Sequence, residues 1–207
     1  MIDGFMNGCR RLAKAGLLRR LLGDRRGVAA VEFAFIAPVL LSLYFVTMEV
    51  AQAIETNKKV SRVASMVADL VTQQQEINRS EIDAIMQIGQ SILQPYNRST
   101  PVIDITAIQM TDENNPKAEV VWSRRLANGN ASVGEAPKSQ TTVPTSLQTR
   151  NSFLIRVSGR LNYRPVITWT AEQTASLGLL GAFDQIAMNE TYFLRPRMSS
   201  TIPCTDC

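Results

Sequence analysis

The sequence predicts an α+β protein: a long N-terminal helix that crosses a membrane and continues as a stalk, a second helix, and an antiparallel sheet of about four strands. Three observations predict this fold. Residues 28–50 are almost entirely apolar and follow a cluster of basic residues. Apolar side chains then recur with a helical period, and the later part of the chain contains alternating β-branched runs separated by turn residues. This order of elements favours helices packed on one sheet.

The N-terminal leader, residues 1–27, carries the charge imbalance of the chain. The 207 residues include 22 basic and 18 acidic side chains and no histidine. Seven of the basic residues but only two of the acidic ones lie in the leader, so the remainder of the chain is close to neutral. This distribution argues against a nucleic-acid-binding protein, in which the folded domain itself has a basic surface.

Residues 28–50 form the predicted transmembrane helix. The uncharged run from Phe33 to Met48 would span about 24 Å, and the run from Val28 about 31 Å, close to a hydrocarbon core of about 30 Å. The basic leader predicts a cytoplasmic N-terminus and an exported domain at residues 51–207. A buried helix of a soluble protein and a cleaved secretory signal are the alternatives, but the apolar run is not followed by a small-residue cleavage site.

A candidate processing signal lies at the start of the apolar run. Gly27 follows two arginines, Val28 begins the hydrophobic stretch, and Glu32 lies five positions after the glycine, followed by Phe33. A carboxylate at the edge of an apolar helix indicates a function or a partner, unless it simply lies at the level of the headgroups. Glycine leaves the backbone accessible to a protease. If the bond after Gly27 is cut, the new amine of Val28 can pair with Glu32 of a neighbouring subunit, which offsets the cost of burying either charge alone.

Two helices are predicted next. Residues 50–72 continue the membrane helix with an apolar stripe, which packs either on the protein's own sheet or on a partner helix. The stripe consists of Val60, Val63, Val67, Leu70 and Val71. Ser80 is the predicted N-cap of the second helix, because Glu81 and Asp83 follow it in the first turn, and Pro95 ends that helix. Its predicted apolar side consists of Ile82, Ile85, Met86, Ile88, Ile92 and Leu93.

The sheet is predicted from alternating, β-branched segments. These segments are residues 102–110, 118–125, 151–163 and 186–194. Residues 127–149, rich in Asn, Gly, Ser, Thr and Pro, are predicted as a flexible loop, either a tolerated insertion or a binding surface. Apolar residues in the segment 166–184 predict a surface flap. Trp122 is expected to be half-buried, and Gly159 is expected to mark a β-bulge.

The pair Cys204 and Cys207 has three interpretations. The first is a structural disulfide in an oxidising compartment, which would close a very small loop. The second is a redox-active pair, which needs a helix N-terminus to lower a thiol pKa, and the third is a zinc site, which needs two more ligands. Since the chain has no histidine, phosphate-binding loop or nucleophile motif, we expect no catalytic residue, metal site, cofactor or small-molecule substrate.

Residues 25–38, R-R-G-V-A-A-V-E-F-A-F-I-A-P, resemble the TadE/TadG-like family of the tight-adherence (Flp) pilus system of bacteria. A second patch supports the resemblance and consists of F-L-I-R-V at 153–157, Y-R-P at 163–165 and Y-F-L-R-P-R at 192–197. The two motifs lie towards opposite ends of the chain, and the residues between them are not part of the resemblance.

The resemblance implies a minor pilin-like or pseudopilin-like structural or assembly protein, and not an enzyme. It implies a single pass through the inner membrane, a C-terminal domain that is periplasmic or pilus-associated, and other Tad pilus subunits as partners. In TadE-like members a prepilin peptidase removes the leader; here Gly27 and Val28 would flank the cleaved bond, with Glu32 at the recognition position. The major Flp pilins are shorter and carry tyrosine where this chain has Phe33, which argues against the main filament subunit.

Two alternatives remain at this point. TadG-like members are more often uncleaved anchors, so the chain can be a single-pass envelope anchor or binding module of the same apparatus. The other alternative is a periplasmic thiol oxidoreductase that uses Cys204 and Cys207.

Overall fold

The computed structural model describes residues 27–94, 96, 98–165 and 186–207. The chain forms two compact units, Met1–Met48 and Glu49–Cys207, and each is described by itself. Three of the predictions lie outside the described residues: the leader up to residue 26, the helix end at Pro95, and the surface flap at 166–184.

Helix α1, Val28–Thr72, is 45 residues long and continues through Pro38. In the first unit its apolar side chains are exposed on all sides. In the second unit the predicted stripe is buried against the protein's own sheet at four positions, while Leu70 is half-buried. The four buried residues are Val60, Val63, Val67 and Val71. The stripe is therefore a packing surface of this domain, as its 3.6-residue period predicts.

Helix α2, Arg79–Ile92, begins two residues earlier than a Ser80 cap would allow. Asn78 is the N-cap: its Oδ1 accepts the Glu81 N–H at 2.9 Å, and Glu81 Oε2 accepts the Asn78 N–H at 3.0 Å. This reciprocal pair satisfies two backbone donors at the helix end, and Ser80 makes neither contact. The prediction of Ser80 as the cap is wrong for that reason.

The apolar side of α2 packs as predicted except at Ile88, which is 53% exposed. Ile82, Met86 and Leu93 are buried and lie on one line of a 3.6-residue period, whereas Ile88 lies well away from that line. Gly89 is buried between them, and a Cβ there would lie 2.8 Å from Cγ2 of Val67. The missing side chain lets α2 approach α1 closely.

Among the described residues the sheet has six antiparallel strands in the order β3-β2-β1-β5-β6, with β4 paired to β2. Their bounds are β1 Val102–Met110, β2 Ala118–Ala127, β3 Asn130–Val133, β4 Gln140–Thr141, β5 Phe153–Tyr163 and β6 Ile186–Leu194. The predicted α+β class is confirmed, and the four predicted strands are β1, β2, β5 and β6. The bulge predicted at Gly159 is wrong, because Gly159 pairs in regular register and the irregularity lies between Ala107 and Ile108. Gly159 faces α1, where an added Cβ would lie 3.4 Å from that of Ala64.

Residues 127–149, predicted as a flexible loop, contain β3, β4 and a short 3₁₀ helix, Thr145–Leu147. Strand β3 follows β2 through a two-residue turn, Asn128 and Gly129, whose φ angles are 52° and 76°. Two positive φ angles are what the turn of a tight hairpin requires, and Asn-Gly provides them with little strain. The segment is mostly polar, so its composition predicted a loop although the Asn-Gly pair is typical of a hairpin turn.

The main core lies between the helices and one face of the sheet. Trp122 is 3% exposed, not half-buried, because the C-terminal residues cover it and Ile202 O accepts its indole N–H at 2.8 Å. Arg124 on β2 donates from Nε and Nη2 to Oδ1 of Asp83 on α2 at 3.0 and 2.8 Å. A smaller cluster on the other face consists of Ile108, Met110, Ala118, Val143 and Leu154.

The capping geometry predicts that Asn78→Ala lowers the free energy of unfolding by about 0.5–2 kcal/mol, since it removes the acceptor of the Glu81 N–H. Ser80→Ala is the matched control and should change it by less than about 0.5 kcal/mol. Urea unfolding of the detergent-solubilised chain, followed by far-UV circular dichroism, measures both. A larger loss in Ser80→Ala than in Asn78→Ala would contradict the assignment of the cap.

Candidate functional site

The candidate processing segment lies at the start of α1. Gly27, which has a 3₁₀ conformation, directly precedes the first residue of α1, Val28, and Glu32 lies one turn further on. A Cβ added to Gly27 would meet no described residue within 4 Å, and its φ lies outside the left-handed region. Neither packing nor backbone strain therefore requires glycine at this position.

Glu32 is exposed, and among the described residues it makes no hydrogen bond or ion pair. Phe33, next to it, is 69% exposed. Val28 and Glu32 are four residues apart and so lie on the same side of the helix. This side of the first two turns of α1, including the Glu32 carboxylate, therefore has no partner in the described part of the chain.

The apolar part of α1 in the first unit is unburied. Its most hydrophobic window of 18 residues has a mean hydropathy of 2.0, and none of that window is buried. Phe35 and Val39 are 74% and 64% exposed. The helix is long and apolar enough to cross a membrane. Such a large apolar surface is unfavourable in water, and among the described residues nothing covers it.

Glu49, the first residue of the second unit, is held by Tyr163 at the end of β5. The Tyr163 hydroxyl donates to Glu49 Oε1 at 2.6 Å. Burial, together with the hydrogen bond to the Glu49 carboxylate, raises the pKa of Tyr163 to about 12. Tyr96 stacks on Tyr163 with ring centroids 5.5 Å apart. This contact fixes the start of the domain's helix against the sheet, and the sequence analysis missed it.

Residues 202–207 form a C-terminal clasp over the junction between α1 and α2. Ile202 is fully buried. Ile77 is bridged to Cys204: its N–H donates to Pro203 O, and its carbonyl accepts the Thr205 N–H, both at 3.1 Å. The clasp thus adds a short parallel pairing to the segment that precedes α2.

A disulfide between Cys204 and Cys207, with Cα atoms 5.6 Å apart, closes the clasp. Asp206 lies inside this loop, and its Oδ1 accepts the Arg79 N–H at the start of α2 at 2.6 Å. A carboxylate at a helix N-terminus is favourable because of the helix dipole. The ligand atoms of Cys204, Asp206 and Cys207 lie within 4.8 Å of one another, but bonded sulfurs are not the thiolates that zinc requires.

The sheet face opposite the helices carries a shallow polar hollow that the sequence analysis also missed. Asp104 on β1 lies between Arg125 on β2 and Arg160 on β5 and pairs with both. Nε of Arg125 lies 2.9 Å from Asp104 Oδ1 but is not directed at it for a hydrogen bond. Arg156 pairs with Glu135. Such cross-strand pairs stabilise the sheet and leave its arginines engaged within the protein.

Residues 27–69 match the sequence profile of the TadE-like protein family. This N-terminal segment is TadE-like. The match begins at Gly27 and includes Glu32 and Phe33, so the resemblance carried by residues 25–38 is confirmed there. The second patch, near the C-terminus, lies outside the matched residues. Searches of the curated proteins and of the solved structures gave no match.

The TadE-like segment extends beyond the exposed apolar run into the folded domain. It contains Glu49, which Tyr163 binds, and most of the buried valine stripe of α1. The segment therefore joins two kinds of surface: one that the described residues leave uncovered and one that they bury.

The clasp yields a stability prediction. Ile202→Ala should lower the free energy of unfolding by about 2–5 kcal/mol, because it opens a cavity beside Trp122. Replacing Cys204 and Cys207 together by serine should cost about 2 kcal/mol or less, since the closed loop is short. Met198→Ala, at an exposed position just before the clasp, is the control. Urea unfolding measures all three, and an Ile202→Ala effect equal to that of Met198→Ala would contradict the packing described.

The Tyr163 hydroxyl yields a pH prediction. Because its pKa is raised from 10.0 to about 12 in the folded protein, its contribution to stability is complete below pH 10 and is lost as the pH rises from 10 to about 12. Tyr163→Phe should lower stability at neutral pH by about 1 kcal/mol and remove this part of the alkaline loss. Urea unfolding at neutral and alkaline pH tests this; parallel pH profiles of the two proteins would refute it.

Proposed function

We propose that this protein is a minor pilin-like or pseudopilin-like component of a bacterial Tad pilus. The leader, residues 1–27, lies in the cytoplasm, residues 28–50 cross the inner membrane, and residues 51–207 form the exported domain. The single observation that carries the proposal is a TadE-like helix that begins directly after Gly27 and whose apolar surface up to Met48 is unburied among the described residues. Such a helix needs either lipid or the helices of neighbouring subunits around it.

The environment of Gly27 supports a role in processing by a prepilin peptidase. Packing among the described residues does not require glycine at this position, which is consistent with a role in an interaction with another protein. A protease that cuts after Gly27 needs access to the backbone there, and a small residue provides it. Val28 is then the first residue of the mature chain.

Glu32 is the proposed assembly residue. After cleavage the Val28 amine of one subunit pairs with the Glu32 carboxylate of the next, within a bundle of α1 helices. Each charge is costly in an apolar environment when alone, and their pairing offsets part of that cost. The exposed position of Glu32 on α1 leaves it available for this contact.

The alternative is an uncleaved single-pass anchor of the same apparatus, in which the leader is retained. The thiol oxidoreductase interpretation is less well supported, because Cys204 and Cys207 are engaged in holding the clasp against Ile77 and Arg79. A structural role accounts for the pair without a redox reaction.

The N-terminus of the protein extracted from its native membrane distinguishes these functions. The wild-type chain and Gly27→Ala should start at Val28, whereas Gly27→Leu should keep Met1, because a bulky side chain blocks access to the bond. Intact-mass spectrometry gives the result directly. A wild-type chain that starts at Met1 supports the uncleaved anchor, and recovery of the protein in the soluble fraction contradicts both.

Glu32→Gln tests the assembly role separately from processing. We expect loss of pili with the exported domain still folded, because the amide cannot form the ion pair. Glu55→Gln is the matched control, since Glu55 is an exposed glutamate on the same helix that pairs with Lys59 at 3.2 Å. Normal piliation in Glu32→Gln, counted by electron microscopy, would refute the proposed pairing.

A further inference from the structure

One end of the sheet lies beside the start of the domain's helix. Strands β1 and β6 begin at this end, and β2 and β5 finish there. Tyr163, the last residue of β5, binds Glu49, and Glu49 is the first residue after the apolar run. Under the proposed topology, this end of the domain is therefore the one nearest the membrane surface.

Two tyrosines and two arginines form a connected group at this end, which we call the Tyr–Arg cluster: Tyr96, Arg98, Tyr163 and Arg164. The guanidinium of Arg98 lies over the Tyr96 ring, 5.5 Å from its centroid, and Nη1 donates to Arg164 O at 3.0 Å. The Arg164 N–H donates to the Tyr96 hydroxyl at 2.8 Å. These contacts hold the cluster as one rigid group within the domain.

The cluster is also tied to α1. Nη2 of Arg98 lies 3.4 Å from Oε1 of Gln52, one turn after Glu49. The side chain of Arg164 is exposed, while Tyr96 and Arg98 are half-buried. Among the described residues the cluster has two arginines and contacts one carboxylate, that of Glu49, so its described groups carry an excess of positive charge. Tyrosines and arginines are typical of the part of a protein that lies at the lipid headgroups of the membrane–water interface.

We propose that the Tyr–Arg cluster docks the exported domain on the phosphate headgroups of anionic phospholipids in the adjacent leaflet. A guanidinium binds a phosphate through two parallel N–H donors. The side chain of Arg164 is exposed and can present such a pair to the membrane surface. The oxygens of Arg164 and Gln52 that Arg98 contacts are neutral, so they do not neutralise the positive charge of its guanidinium. The proposal rests on the proposed membrane topology, from which the position of the cluster follows.

The test uses the full chain reconstituted in vesicles of phosphatidylcholine, with or without phosphatidylglycerol. A fluorophore is attached at Asn162→Cys, an exposed position next to the cluster, in a Cys9→Ser background under non-reducing conditions. Quenching by a headgroup-labelled lipid reports docking. With phosphatidylglycerol we expect stronger quenching, which falls as salt screens the attraction.

Arg98→Gln with Arg164→Gln should reduce the docked population on the order of fivefold per arginine, while the chain still floats with the vesicles. Arg164→Gln alone is the variant that leaves the contacts within the domain intact. Arg150→Gln, at the opposite end of the sheet, is the matched control and should behave as the wild type. Inorganic phosphate added to phosphatidylcholine vesicles should not reproduce the effect of the anionic lipid.

The outcomes separate the two proposals. Flotation of every variant together with equal quenching in the wild type and both arginine variants would overturn the docking surface and leave the anchor intact. An effect of Arg150→Gln as large as that of Arg164→Gln would also overturn it, since general charge would then explain the binding. Failure of the wild type to float would overturn the membrane topology itself, and the docking proposal with it.

Discussion

The burial of α1 is the constraint on which the rest of the structure depends. Between Val60 and Val71 the helix is apolar along one stripe, and the sheet and α2 bury the four valines of that stripe. Between Val28 and Met48 it is apolar on every side, and no described part of the chain covers it. At roughly 25 cal/mol per Å² of apolar surface, neither stretch is stable in water alone. One half of the helix therefore organises the domain, and the other half requires an environment that the described part of the chain does not supply.

The three glycines near or against α1 have different physical explanations. Gly89 and Gly159 face α1, and their missing side chains allow α2 and β5 to approach it. At Gly27 no described residue lies near the Cβ position and the backbone is ordinary, so the described part of the fold gives no reason for glycine there. A glycine that packing does not explain is better evidence for an external interaction than a sequence motif taken alone.

Elements with strong periodicity could be predicted from the sequence, because their pattern is set by burial on one side. The full extent of α1 beyond the membrane span, and β1 and β6 to the residue, follow from that pattern. Details that depend on particular side-chain geometry could not: Asn78 caps α2 because its carboxamide reaches Glu81, a choice that composition does not distinguish from Ser80. In residues 127–149 the polar composition outweighed the short Asn-Gly signal of the hairpin.

The candidate site was predictable in part for the same reason. Gly27 and Glu32 lie five positions apart in the sequence and could be recognised together, but their exposure could be known only from the structure. The contact between Glu49 and Tyr163 joins residues 114 positions apart, and no local pattern indicates it. Trp122 was expected to be half-buried because the residues that cover it come 80 positions later.

The clasp has a consequence for the order in which the molecule can be completed. The N–H of Arg79 at the start of α2 has its partner only after Asp206, 127 positions later, has been made. The indole N–H of Trp122 likewise has its partner only after Ile202 has been made. Since a chain emerges from the ribosome with its N-terminus first, the helices and the first strands are made well before the residues that finish their packing. Contacts of such long separation also form slowly. Newly made molecules therefore pass through an interval in which an indole and a helix end stay open to solvent, and in that interval they are most vulnerable to proteolysis and aggregation.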